Sequence, residues 1–574
     1  MMAAPLETRS CRKRKEQKSL QEEYYIVKNN SLNALINSSN RHSSQCKGEL
    51  EVLKVKSKII SVTLVVQCFK CGFTTDQTPM YDTYKEKIED VIGDVKAKKE
   101  EIKKKKNSGP RHSKLNVALA AALTNTPMGA SGIGKLFAHL NIHPGSEDAL
   151  TRLINRVGPV NEKVAMLSMS NGIEELKQIQ ARGEEIGYSV DMMYNNRQSR
   201  RHGVPMEPAT QAYHTTAGTN IKKIVGVKTL NKICLRCSRK ETDRYLSDST
   251  IGERDWECDN CTRTLGPSET ISIEGKLLKD TVQEIVNEHE LLPDYVTADG
   301  DTKISKVTKE LDIELNKDVR HLSKCIVKKT NNADLNNFDG SNKTERTKQW
   351  NLFKADIIKR CNAENKKVHL KTVKLRGSAK LAKVNKMLKK TQDAILACHQ
   401  GRCGRLCNKH SHVCGGYSKK YVKFSPCVKL TAVNTAIVKE LIKKRLVDMM
   451  PFTYRNSGTN FNEGVNCAIT KTCPKSTTFP RSMPYRVNRA IINVNEGSAK
   501  GTDLIKHALK TKLTFTIKNK LNYLETRRQR RKLYLRSATA KLRVEARNKF
   551  LKAKYELKKQ RKHKLSEYKK GIDV

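Results

Sequence analysis

Two Cys-x2-Cys knuckles, Cys234 with Cys237 and Cys258 with Cys261, stand twenty residues apart. Two such knuckles can close a tetrahedral thiolate site, and four protein ligands leave no open coordination position, so a zinc bound there is expected to be structural. Whatever fold surrounds them has to bring the two knuckles together. Chance pairing of buried thiols is the alternative, and the polar, basic surroundings of both knuckles weigh against it.

Two further groups extend the pattern among the 17 cysteines. Cys68 and Cys71 form one knuckle whose partners would be His42 and Cys46, in an HxxxC arrangement; free thiols are the other reading. Cys398, His399, Cys403, Cys407, His410, His412 and Cys414 offer more ligands than one zinc needs. Cys403, Cys407, His410 and Cys414 are the set expected there, although spacing does not select among the seven. The length of the chain, the CxxC spacings and the missing signal stretch favour reduced thiols over disulfides.

Charge narrows the partner. The sequence carries 111 Lys and Arg against 59 Asp and Glu, a net charge of +52 and a pI near 9.8, with 37% hydrophobic and 5% aromatic residues. Long stretches must therefore be solvated, and a polyanion is the economical partner. Nucleic acid is favoured over an anionic membrane, because no apolar run approaches the roughly eighteen residues of a span. The opening MMAAPLETRSCRKRKEQK lacks the apolar stretch of a secretory signal, so a soluble, intracellular protein is expected. RKRK at 12–15 and KKKK at 103–106 are candidate nuclear import signals, or equally solvated charge clusters.

Periodicity divides the chain. Residues 1–40 are polar, basic and expected to be disordered. Residues 41–80 hold two strand-like runs, ELEVLKV and IISVTLVVQCF, and read as a zinc ribbon. Residues 81–114 read as a charged helix and linker. Residues 115–180 turn helical, with Ser146 as an N-cap; a helix-turn-helix DNA-binding module and ordinary helical packing fit equally. Gly129 to Lys135 satisfies GxxxxGK, but Leu136 stands where Ser or Thr would hold magnesium and no apolar strand precedes it, so a turn between helices is the better reading and a P-loop NTPase a weak one. From 181 to 510, three near-consecutive strands followed by alternating helix and strand indicate a mixed α/β sheet. The cysteine loop at about 231–265 and a basic helical segment at about 336–450 interrupt it. Residues 511–574 form a basic helical tail with a thin apolar stripe of Leu535, Leu542, Phe550 and Leu557.

Three acids stand out within this core: Asp191 in GYSVDMMY, Asp299 in YVTADGDTK and Glu463 in NFNEGVN. Two divalent metals about 3.5 to 4 Å apart need carboxylates that can come from distant sequence. In an RNase H-like fold the first carboxylate sits on the first strand, the second at a later strand edge and the third on a helix, the order found here.

Several stretches resemble the Mutator-like transposase domain of eukaryotic DNA transposons. VDMMYNNRQSRRHG is similar to the strand carrying that family's first catalytic aspartate, which places the role on Asp191. ICLRC, WECDNC and ISIEGKLLKD resemble the family's cysteine-containing insertion and the helix after it. YVTADGDTKISKV resembles the second aspartate's segment, with Asp299 as ligand and Asp301 as fallback. VRHLSK resembles a Cys-x2-His segment: His321 keeps the histidine, but Asp318 stands where a cysteine is usual. NEGVNCAITKTCPK resembles the third acidic motif and places the glutamate on Glu463. The resemblance covers roughly residues 40–500. It implies an RNase H-like DDE core using Mg2+ or Mn2+, structural Zn2+, binding to terminal inverted repeats and target DNA as a homo-oligomer, strand cleavage and transfer by the freed 3′-OH, and a place in the nucleus. The competing reading is a host-adopted, catalytically inactive, zinc-containing DNA-binding protein, which the substituted Asp318 mildly favours.

Overall fold

The computed structural model describes residues 26–75, 77–82, 113–142, 146–195, 209–248, 258, 261–266, 269–299, 302–318, 334–336, 338–375, 377–415, 430–448, 451, 454–455 and 458–570. The basic runs at 12–15 and 103–106, most of the 81–114 linker, Asp301 and His321 lie outside the described residues. The chain divides into two units, Met1–Asn495 and Glu496–Val574.

In the first unit, helix α1 (Asn29–Gln45) corrects the expectation of disorder through residue 40. Leu35 and His42, seven residues apart, share one helix face and are both buried. Leu35 packs with Val62, Val66 and Met80. Its cover is a sheet formed by the antiparallel hairpin of β1 (Leu50–Lys58) and β2 (Ser61–Cys68), with β3 (Thr78–Pro79) on its edge. A helix that looked too polar to order is held by tertiary contacts supplied by the strands after it.

Three helices follow: α2 (Lys114–Leu123), α3 (Ala130–His139) and α4 (Glu147–Ala181). Ser113 and Ser146 cap α2 and α4, their side chains accepting from the backbone N–H groups of Asn116 and Ala149. The GxxxxGK segment follows no strand: Gly129 is the N-cap of α3 and the residues after it are helical. The long α4 reaches into the core, where Ile173 and Leu176 pack under one face of the sheet and Met169 under the other. Its C-terminal half is therefore packing helix, whereas Leu136 of α3 and the C-cap Leu140 are exposed.

The central sheet has the order β6-β5-β4-β7-β8. Its members are β4 (Gly187–Tyr194), β5 (Gln211–Gly218), β6 (Lys223–Asn231), β7 (Tyr295–Ala298) and β8 (Glu314–Lys317). The first three pair antiparallel, and β7 then β8 add on the other side of β4, parallel to it. This is the mixed sheet expected from the strand–helix pattern. The period of two sorts its residues. Tyr188 and Val190 of β4 join Val296 and Ala298 of β7 against α6 (Glu274–His289) and α7 (Thr302–Glu310). The α6 crossing is close: a Cβ on Gly226 would lie 2.4 Å from Thr281 Cγ2. The opposite face, with Tyr213 and Ala217, is covered by α12 (Asn460–Ile469) and α13 (Met483–Glu496).

Helices α5 (Leu235–Asp248), α8 (Lys343–Lys371), α9 (Gly377–His399), α10 (Arg405–His410) and α11 (Ala432–Lys443), the last continued by a π-helical turn over Lys444–Asp448, are the remaining helices among the described residues of the unit. The last four lie between β8 and α12; α8, α9 and α11 build a separate core around Trp350, Phe353, Ile357, Leu388 and Leu441, while α10 packs Cys407 against Ala394 and Cys398 of α9. The second unit consists of α14 (Ser498–Ala508), α15 (Phe515–Arg536) and α16 (Ala538–Lys570). The stripe of Leu535, Leu542, Phe550 and Leu557 is exposed there.

One buried group makes the sheet pH-sensitive. His214 of β5 is fully buried, neither ring nitrogen has a hydrogen-bond partner, and burial pushes its pKa down to about 4. Because the folded value lies below the unfolded one of about 6.5, its contribution to stability is complete above pH 6.5 and lost as pH falls toward 4. We expect acid to cost up to about 3 kcal/mol through this residue, and His214→Leu to flatten that part of a stability–pH curve measured by denaturant melts.

Candidate active site and thiolate clusters

The register of the central strands assigns two acids to one face of the sheet. β4 and β7 run parallel with Ser189 opposite Thr297, and two residues further along each strand come Asp191 and Asp299. Parallel neighbours are about 4.8 Å apart and every second residue points to the same side, so both carboxylates belong to one face, Asp191 midway along β4 and Asp299 just past the end of β7. That face is the one α12 covers. Both acids are half-buried.

Helix α12 carries Glu463, exposed, in its first turn. Two asparagines one turn apart fasten the helix to β4. Asn462 Nδ2 donates to the carbonyls of Ser189 (3.1 Å) and Thr215 (3.0 Å), and the Ser189 hydroxyl donates back to Asn462 Oδ1. Asn466 Nδ2 donates to Asp191 Oδ2 at 2.7 Å. Val465 and Ile469, on the apolar side, are buried against the sheet. Glu463 and Asn466 are i, i+3 neighbours on the helix surface, so the fastening that reaches Asp191 also brings Glu463 to that edge.

Asp318 supplies another tie. Its backbone N–H donates to Ala298, next to Asp299, at 2.9 Å. Its buried carboxylate accepts from the N–H (2.8 Å) and hydroxyl (2.9 Å) of Thr459, the N-cap of α12. Asp318 thus joins the strand that leads to the second acid with the helix of the third. Neither Asn462, Asn466 nor this role of Asp318 follows from reading the acids alone, although the asparagines at i and i+4 around Glu463 were visible as a pattern.

Among the described residues, three groups bring three or more ligand atoms within 4.8 Å of one another, and all are cysteine-rich; the three acids are not drawn that tightly. A two-metal site spans more than one coordination sphere, since its cations lie about 3.5 to 4 Å apart. The acids and Asn466 present only oxygen and amide groups, which suit hard cations such as Mg2+ or Mn2+.

Cys234, Cys237, Cys258 and Cys261 form one group, with Sγ–Sγ distances of 3.7 Å for Cys234–Cys258 and for Cys237–Cys261. A zinc with Zn–S bonds of about 2.3 Å would set tetrahedral edges of about 3.8 Å, whereas a disulfide needs about 2.05 Å. Burial opposes ionisation of Cys234, but backbone N–H groups of Cys237, Thr262 and Arg236 outweigh it and bring its pKa down to about 5. Burial and the neighbouring Cys237 and Cys234 push Cys258 up to about 12. A first thiolate is easily accommodated and a further one needs a cation, which is what the donor set of a zinc site requires. Asn231, at the end of β6, braces the loop by donating to the carbonyls of Ile233, Thr262 and Pro480.

His42, Cys46, Cys68 and Cys71 gather as expected, α1 supplying the first pair and the end of β2 with its turn the second. The third group differs from expectation. It consists of Cys398, Cys403, Cys407 and Cys414; His410 is not a member. Cys398 comes from the last turn of α9 and reaches the others through packing of α9 on α10, a tertiary contact that linear spacing does not encode. Fully buried Arg360 lies beside it, donating to Cys398 Sγ at 3.8 Å, to Ser411 Oγ at 2.8 Å and to Glu364 at 2.9 Å.

The Mutator-like transposase family model matches residues 23–414. The match takes in the strands of Asp191 and Asp299 and all three thiolate groups, and ends before Glu463. Searches of the curated proteins and of the solved structures found no match. With more than half of its length matched, the chain belongs to the Mutator-like transposase family.

Proposed function

We propose that this chain is a DNA transposase of the Mutator-like type with an RNase H-like catalytic core, binding transposon ends and carrying out metal-dependent strand cleavage and strand transfer. The observation that supports this reading is the parallel register of β4 and β7, which puts Asp191 and the residue following β7, Asp299, on the same face, with the Glu463 helix fastened to Asp191. First strand, later strand end and helix is the order of carboxylates that such a core needs.

Asp191, Asp299 and Glu463 would hold two Mg2+ or Mn2+ ions. Bound there, the ions would supply charge to activate a water or a 3′-OH and to stabilise the leaving oxygen. The protein's own contribution is placement: β4 and β7 fix two carboxylates by strand register, while Asn462, Thr459 and Asp318 fix the helix of the third. The three thiolate groups would hold structural zinc. The net charge of +52 supports binding to terminal inverted repeats and target DNA, mainly through phosphates. A homo-oligomer acting in the nucleus completes the proposal.

The reading of a host-adopted protein that no longer cuts leaned on Asp318, and the buried bonds of Asp318 to Thr459 give that residue a role compatible with an intact site. The test is direct. Purified full-length chain, mixed with DNA carrying the inverted repeats that flank its gene, should nick at the repeat ends in Mg2+ or Mn2+ and not in chelator. Binding without nicking in either metal would favour the inactive reading.

A further inference from the structure

We infer that Asn466 is a fourth member of the acidic site: a positioning residue that holds the Asp191 carboxylate and offers an amide oxygen toward the divalent cation. This rests on the reading of Asp191 as a metal ligand. Asn466 is 2% exposed. Its Nδ2 donates to Asp191 Oδ2, which fixes the amide's orientation, because an ionised carboxylate can only accept. Its Oδ1 is then left buried without a hydrogen-bond partner.

A buried amide oxygen with no partner costs about 1 to 3 kcal/mol, so such an atom calls for an explanation. Asn462, four residues earlier on the same helix, gives the contrast within α12. It uses both ends of its amide within the protein, Nδ2 on the Ser189 and Thr215 carbonyls and Oδ1 on the Ser189 hydroxyl. Asn466 spends its donor on a carboxylate that is itself a candidate ligand and leaves its acceptor unused. A cation, or a water bound to one, would satisfy that oxygen, and hard cations accept amide carbonyl ligands.

The same bond shapes Asp191: with Oδ2 held by the amide, the carboxylate cannot rotate freely. A partner that orients a ligating group in this way typically contributes about ten- to a hundredfold in metal affinity. The position is also matched to Glu463, one turn earlier on the same helix, so one rigid element would deliver a carboxylate and the amide that aligns its counterpart across the site.

The experiment measures Mn2+ binding by isothermal titration calorimetry to the zinc-loaded full-length chain without DNA, alongside a thermal melt. Three variants are compared with wild type. Asp191→Asn should lose the site. Asn466→Leu, which fills similar volume without either polar atom, should bind Mn2+ about ten- to a hundredfold more weakly while melting near the wild-type temperature. Asn466→Ser serves as a second, smaller polar variant if the leucine form does not fold, and it too should bind Mn2+ at least about tenfold more weakly. If Asp191→Asn loses Mn2+ but both Asn466 variants that fold bind it as wild type does, Asn466 is structural only and the inference is wrong. If Asp191→Asn also binds Mn2+ unchanged, the metal site itself is misassigned, and the inference falls with it.

Discussion

Neutralising Asp191 or Asp299 to Asn, or Glu463 to Gln, is expected to reduce strand cleavage by well over a hundredfold while leaving DNA affinity nearly unchanged. The size follows from the role: even groups that merely orient a metal ligand are worth about ten- to a hundredfold, and these three would be ligands. Affinity should hold because, on the proposed reading, it would come from phosphate contacts spread over a chain of net charge +52. Two neighbouring variants sharpen the result. Asp294 lies before β7, at the opposite end of that strand from Asp299, and its carboxylate accepts from the N–H of Ile186 at 2.7 Å. Asp294→Asn keeps an oxygen for that bond and should cut like wild type. Asp301→Asn should also retain activity; if it is dead while Asp299→Asn cuts, the second ligand is Asp301. Cleavage at the wild-type rate by all three primary variants would end the transposase reading of this site.

Much of this arrangement was legible because it depends on local pattern. The alternation in GYSVDMMY, TQAYHTTAG and KKIVGVKTL identified β4, β5 and β6, and Ser146 marked the start of α4, since both signals reside within a few residues. Two cysteine-rich groups were readable for the same reason: a CxxC or HxxxC spacing keeps two of the ligands within a few residues of each other. What remained hidden depended on elements meeting in space. Cys398 joins its group by helix packing, so His410, nearer in sequence to Cys407, looked like the better ligand. The order in α1 comes from strands that follow it, and its own polar composition gave no sign of them. Asp318 looked like a damaged cysteine position because sequence comparison registers residue type; its bonds to Thr459 lie 141 residues away along the chain. The asparagines of α12 were visible as an Asn-rich motif, but their separate tasks, one on the backbone of β4 and the other on Asp191, appear only when strand and helix are placed together.

Replacing Cys258 and Cys261 by serine should remove one zinc per chain and destabilise the core beside it. Each knuckle supplies two sulfurs, and two remaining thiols cannot close a tetrahedral site. The loss should be large, because structural zinc contributes on the order of 10 kcal/mol or more to the folding of small domains built around it. Here the effect would reach past the loop. Asn231 joins the Cys234–Cys261 region to β6 and to Pro480, and it also receives a bond from Gln211 at the start of β5. Slackening of this corner should therefore appear as faster amide exchange in β5 and β6, with β1 and β2 unaffected. Elemental analysis would follow the metal: three zinc ions per wild-type chain and two in the double variant. The third group allows a sharper comparison, since Cys398→Ser should lower zinc content and His410→Ala should not. Equal zinc in wild type and the Cys258, Cys261 variant would show that these four sulfurs hold no metal, and their 3.7 Å spacing would then reflect packing of the cysteines alone. In that case exchange in β5 and β6 should also stay at the wild-type rate, because a hydroxyl in place of a thiol would leave the bonds of Asn231 intact.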